Sequence, residues 1–165
     1  MIFLTVGTQL PFDRLTRAVD DWCAANPSAH VVGQIADPGS EGFRPQHFEW
    51  QSFIEPAEFD RRFDEADLIV AHAGMGSIIT ALTRAKPVLI MPRRANLREH
   101  RNDHQLATAD RFADRPGVHV AHDEESVGPW LSRLLAMPER GDSPRLSPFA
   151  SPQLLEAIRA FIQSS

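Results

Sequence analysis

The run His72-Ala73-Gly74-Met75-Gly76-Ser77 puts an imidazole, two glycines and a hydroxyl directly after the apolar Leu68-Ile69-Val70-Ala71. Glycine has no Cβ, so the chain at Gly74 and Gly76 can bend sharply and approach a ligand closely. Ile78, Ile79, Ala81 and Leu82 then suit a helix, with Ser77 placed to cap it. The first amides of a helix are unpaired and carry partial positive charge, which makes such a turn an anion site. A histidine at the carboxyl end of a buried strand stands where open parallel sheets keep their ligands. The same residues would also serve an ordinary strand-to-helix turn; His72 tilts the reading toward chemistry.

Three other stretches carry candidate groups. Gly7-Thr8-Gln9 follows the apolar Met1 to Val6 and either simply connects or offers backbone N–H and side-chain groups to a ligand. Phe53-Ile54 reads either as core or as a flat apolar wall for a base. Arg93 to Gln105 is the most polar segment, and a charge run is commonly a solvated face. This one begins where the buried strand Lys86 to Pro92 ends, beside the expected ligand crevice. Arginines such as Arg94 suit phosphates there, while Asp103, His104 and Gln105 suit hydroxyls.

These groups need a scaffold, and the hydrophobic pattern supplies one. Strands are expected at Met1 to Val6, His30 to Ile35, His47 to Trp50, Leu68 to Ala71, Lys86 to Pro92 and Val118 to Val120. Between them, helices follow from Phe12-Leu15-Ala18-Val19-Trp22, from Glu55 to Glu65, from Ile78 onward, from Leu106 to Ala113 and from Ser126 to Met137. Asp37 to Pro45, with its glycines and prolines, reads as a flexible loop. Alternation of this kind gives an α/β fold: a Rossmann-like parallel sheet with helices on both faces. The expectation is one domain over 1–165, with a core of about 1–137, then a linker and an amphipathic closing helix in 138–165.

A chain of 165 residues can bury one substantial core and is too short for two of ordinary size. Net charge of -5 argues against a general nucleic-acid binder. The single cysteine, Cys23, lies in a helical pattern and reads as a buried thiol in a reducing compartment. Met1 opens a strand rather than a basic n-region, and no apolar run approaches the roughly 20 residues of a membrane span, so a cytoplasmic protein is expected. There is no Gly-x-Gly-x-x-Gly after the first strand, no Gly-Lys-Ser/Thr, no His-Glu-x-x-His and no Asp-x-Asp. A nicotinamide oxidoreductase is therefore disfavoured. The pattern left is a phosphate site with no metal and no cofactor, made of glycine turns, a helix start, His72 and arginines.

The series Gly7-Thr8-Gln9, Phe53-Ile54, His72-x-Gly74-x-Gly76-Ser77 and His104-Gln105 resembles the donor-binding half of GT-B glycosyltransferases, specifically the family 28 C-terminal domain that also occurs in MurG. Within that family it is similar to the small subunits of two-component UDP-sugar transferases of the PssE and EpsE type, over Met1 to about Val120. The resemblance implies that Gly7, Thr8 and Gln9 lie near the diphosphate and that Phe53 and Ile54 face uracil. It further implies that His72, Gly74, Gly76 and Ser77 form the diphosphate turn, and that Gln105 with Asp103 and His104 reads sugar hydroxyls. Thr80 stands where many relatives place an acidic residue that grips the ribose, and its hydroxyl offers one hydrogen bond instead. His104 stands where an acidic residue often precedes the glutamine.

The implied enzyme is an inverting, metal-independent hexosyltransferase that uses a UDP-sugar donor, with His72 as its catalytic residue. A lipid-linked saccharide acceptor would be held by a separate, membrane-anchored subunit, placing the chain at the inner membrane face through that partner. The closing helix and Pro11-Phe12 are the expected docking surfaces. The competing expectation is a non-catalytic nucleotide-sugar-binding or scaffold module of a polysaccharide assembly complex.

Overall fold

The computed structural model describes residues 1–137 and residue 156. The expected linker, and all but Glu156 of the expected closing helix, lie outside the described residues. Six strands, β1 (Ile2–Thr5), β2 (Val31–Gln34), β3 (Glu49–Gln51), β4 (Leu68–His72), β5 (Val88–Met91) and β6 (Val118–Val120), form one sheet. Its order is β3-β2-β1-β4-β5-β6 and every neighbouring pair is parallel. The helices are α1 (Asp13–Ala25), α2 (Pro56–Glu65), α3 (Met75–Thr83), α4 (His104–Phe112) and α5 (Val127–Ala136), with a 3-10 turn at Ala95–Leu97.

The continuous apolar strands are explained by burial on both faces. Ile2, Leu4, Leu68, Val70, Leu89 and Met91 point to one side, where Leu15, Val19 and Trp22 of α1 and Leu131 and Leu134 of α5 cover them. Phe3, Ile69, Ala71, Val88 and Ile90 point to the other, against Phe63 of α2, Ile78 and Leu82 of α3 and Ala109 of α4. Each fully buried large side chain contributes roughly 1.5–3 kcal/mol. Phe3 adds edge-on contacts with Phe59 and Phe63, with ring centroids 5.2 and 6.1 Å away.

Three expectations change at this level. Ser77 does not cap α3: the helix starts two residues earlier, with Gly74 at the N-cap and no side-chain capping bond. Of the expected Pro11-Phe12 docking surface, Phe12 belongs to the core, 1% exposed with the guanidinium groups of Arg14 and Arg93 over its ring, so its side chain is closed to a partner, while Pro11 is half-buried. The loop after β2 is pinned to α1, because Asp13 accepts the Phe43 N–H at 3.0 Å and Asp20 accepts those of Gln46 and His47. Cys23 is buried as expected, and burial followed by the nearby Asp20 pushes its thiol up to about 11. Among the described residues no helix is long and apolar enough to cross a membrane.

Candidate functional site

In this strand order the chain reverses direction across the sheet between β1 and β4, and in such sheets the crevice beyond the strand ends at that point receives the ligand. Thr5 of β1 is paired with Ala71 of β4, so Gly7 and His72 emerge side by side. They border a cavity of about 300 Å³ that Thr8, Gln9, Arg93, His100 and Gln105 also line.

Two glycines make room for the imidazole. A Cβ at Gly74 would lie 2.2 Å from His72 Nε2, and one at Gly7 would lie 3.3 Å from Cε1. Gly7 also has φ +84°, in the left-handed region that only glycine enters freely. Gly76 is different: a Cβ there would meet nothing within 4 Å. The first intrahelical bond of α3 runs from Ile78 N–H to Gly74 O, which leaves the amides of Met75, Gly76 and Ser77 outside the helical ladder. An uncapped helix start with an open surface at Gly76 is therefore available to an anion.

His72 does not supply the charge for such an anion. Burial, followed by the positive charge of Arg93, pushes its pKa down to about 4, with the Thr5 backbone pulling the other way. The ring is neutral near pH 7, and its buried Nδ1 makes no well-formed hydrogen bond. A bound diphosphate beside it would raise that value by favouring the charged form.

Arg93 is 3% exposed and cationic, its pKa lowered by burial only to about 10. Its guanidinium donates to the carbonyls of Pro11 at 2.6 Å, Leu10 at 2.7 Å and Val6 at 3.0 Å, stitching the end of β5 to the loop after β1. Gln105 is buried too, and its Oε1 accepts the Arg93 backbone N–H at 3.1 Å.

The other expected site residues are distributed as follows. Arg94 lies outside the cavity and donates to the His122 carbonyl at 2.6 Å. Asp103 accepts the Ala95 N–H at 2.8 Å and so braces the 3-10 turn. His104 is exposed, against Asn102, with its ring edge-on to His100 at 4.6 Å. Ser77 and Thr80 are half-buried on α3. The Phe53-Ile54 pair divides: Ile54 is core at 3% exposure, while Phe53 stands 51% exposed at the carboxyl end of β3. Arg93 and His100 were not singled out from the sequence. Pro92 immediately before Arg93 marks a strand end, but nothing local separates these two from the charged residues around them. Among the described residues no three His, Cys, Asp or Glu side chains group as metal ligands.

The model of the glycosyltransferase family 28 C-terminal domain matches residues 1–140. The chain belongs to that family. It is similar to the UDP-N-acetylglucosamine transferase subunit ALG13 of two strains of Cryptococcus neoformans var. neoformans serotype D, 35% identical over 91 residues. That alignment covers 50% of this chain and 44% of the relative, so the chain spans less than half of the curated proteins it matches. An ALG13 solution structure superposes with a TM-score of 0.58 at 18% identity, covering 95% of this chain and 93% of the other. Acinetobacter baumannii MurG gives 0.61 at 18% identity, over 99% of this chain and 49% of MurG. The glycotransferase of kitacinnamycin gives 0.61 at 20% identity, over 83% and 35%. These likenesses establish the GT-B C-terminal-type fold. As a family 28 domain, the chain carries its cavity and its open helix start on the same edge of the sheet.

Proposed function

We propose that this chain is the UDP-sugar-binding subunit of a glycosyltransferase of the two-component type. One observation carries the reading: at the β1–β4 reversal an uncapped helix start, bare at Gly76, lies beside a polar cavity framed by Gly7 and His72. The unpaired amides of α3 would take the diphosphate, each favourable helix-end contact contributing roughly 0.3–1 kcal/mol when exposed and up to about 2 when partly buried. Charge develops on that diphosphate as the sugar–phosphate bond breaks, so donors already in place stabilise the transition state without reorganising. No metal is required in this scheme. His72, neutral at pH 7, would act there as a hydrogen-bonding catalytic residue rather than as a cation. Phe53, beyond the end of β3, would cover uracil, Thr80 would meet the ribose, and Gln105 with Asp103 and His104 would border the sugar.

In-line attack by an acceptor hydroxyl would invert the anomeric centre. The acceptor, a lipid-diphosphate-linked saccharide in exopolysaccharide or cell-surface glycan synthesis, would be presented by a separate membrane-anchored subunit that also supplies the base. The chain itself would be cytoplasmic and held at the inner membrane face by that partner. The test is calorimetric titration of the chain with UDP and UDP-hexoses, followed by transfer assays with and without the partner. UDP binding by the isolated chain with turnover only in the pair is expected. Full turnover by the chain alone would overturn partner dependence, and absence of UDP binding would overturn the donor site.

A further inference from the structure

We infer that Arg93 is a positioning residue of the donor site: its guanidinium folds the loop after β1 so that the backbone amides of Thr8 and Gln9 stand free at the cavity, where they hydrogen-bond the phosphates of the donor. This rests on the donor-site reading above and names the side chain that builds one wall of that site.

The chain leaves β1 at Thr5 and enters α1 at Asp13. Between them, Nη2 of Arg93 donates to the carbonyls of Val6 at 3.0 Å and Leu10 at 2.7 Å, and Nη1 donates to those of Pro11 at 2.6 Å and Glu99 at 3.4 Å. Carbonyls of Val6 and Leu10 can meet one nitrogen only if the chain between them doubles back. Gly7 permits the reversal, with φ +84°. Thr8 and Gln9 lie at its crest, exposed and lining the cavity. Their amides have no hydrogen-bond partner among the described residues. The loop thus turns carbonyls toward a buried cation and leaves amides over, an arrangement that suits an anion.

The residue type matters. Arg93 is buried, and the carboxylate whose charge acts on it, Glu99, is engaged by Arg14 at 2.7 Å. A buried cation held by carbonyls rather than by a carboxylate is costly. An apolar side chain would also pack on Phe12, whose ring centroid lies 4.6 Å from the guanidinium carbon, but it would leave the loop carbonyls bare. Lysine offers a point charge and no planar fork to span them. Each terminal nitrogen of Arg93 already makes two bonds, so the group acts on the donor through the loop and not by touching it.

The experiment compares the full chain with Arg93→Lys and Arg93→Gln in titrations with UDP and with uridine, which lacks the phosphates. Both variants are expected to lose roughly tenfold or more in UDP affinity, the size of a charge-assisted hydrogen bond lost, with uridine unchanged within about twofold. Recovery of UDP binding in Arg93→Lys would show that charge alone matters and would overturn the assignment, as would equal losses for UDP and uridine. If the variants fail to fold, the unmodified chain decides the question: its Thr8 and Gln9 amide NMR signals should shift with UDP and stay in place with uridine. Silence of both amides while UDP binds would overturn the assignment. Failure of the unmodified chain to bind UDP would instead strike the donor-site reading itself.

Discussion

The turn after β4 and the segment after β5 leave the same edge of the sheet, yet they are built on opposite principles. His72 to Ser77 has almost no side-chain bonding: two glycines, an uncapped helix start and a neutral histidine. Pro92 to Asp103 is dense with charge, and most of that charge is engaged internally. Arg93 binds carbonyls, Glu99 binds Arg14 and a backbone amide, Arg94 reaches His122, and Asp103 holds Ala95. The segment rich in polar side chains is the frame, and the segment poor in them presents free donors. Ligand chemistry in this fold is read from what the backbone leaves unpaired more than from the number of charged residues.

That contrast can be broken from the frame side first. Glu99→Ala removes one partner of an ion pair whose side chains are only 10% and 13% exposed, leaving Arg14 short of its main carboxylate. A loss of about 3–5 kcal/mol in urea unfolding is expected, with weaker UDP-sugar binding as the loop loosens. A wild-type midpoint would show that the segment after β5 does not depend on this strut. Gly74→Ala attacks the turn instead: the new methyl would collide with His72 Nε2 at 2.2 Å. Overpacking there should destabilise by up to about 3 kcal/mol and abolish UDP binding together with it; retained affinity would show that the ring position is immaterial.

The neutral state of His72 gives a pH signature. Its folded pKa of about 4 lies below the ordinary 6.5, so between these values the unfolded chain holds the extra proton. Stability contributed by the buried neutral ring is complete above about pH 6.5 and falls as pH drops toward 4. His72→Gln should flatten this slope, reducing the fall between pH 6.5 and 5 by about 1.5 kcal/mol relative to the unmodified chain. Parallel stability curves would place the ring in an environment far more hydrated than the fold indicates.

The smallest effect on folding comes from Gly76→Ala, and it sharpens the comparison most. Its methyl would project into open space at the start of α3, and replacing a helical glycine should stabilise by about 0.5–1 kcal/mol. If the amides there hold a diphosphate, UDP affinity should nevertheless drop. A variant that is more stable and binds UDP as well as before would remove α3 from the site.

Much of the scaffold was legible in the residues. Ile2 to Leu4, Leu68 to Ala71 and Val88 to Met91 are apolar at every position because helices cover both faces, and that pattern needs no tertiary information. Gly74 and Gly76 were legible as a close-approach turn, although their reasons differ: one accommodates a ring and the other leaves a surface bare. His100 and Arg93 were not legible, because a histidine and an arginine in a charge run have the same neighbours whether they face water or a cavity. The separation of Phe53 from Ile54 was equally hidden, since which of two adjacent apolar residues turns inward depends on the element beneath them.

By itself the sequence determined the alternation of strands and helices, the place of the glycine turns at strand ends and the family signature they carry, because these depend on local periodicity and short spacings. Only the tertiary structure decided which polar groups were left over. A guanidinium or a carboxylate becomes structural or available according to partners tens of residues away, as Arg14 shows for Glu99 and as the Leu10 carbonyl shows for Arg93. Hydrogen-bond partners of that kind are set by how the sheet brings its loops together, which no local stretch of the chain encodes.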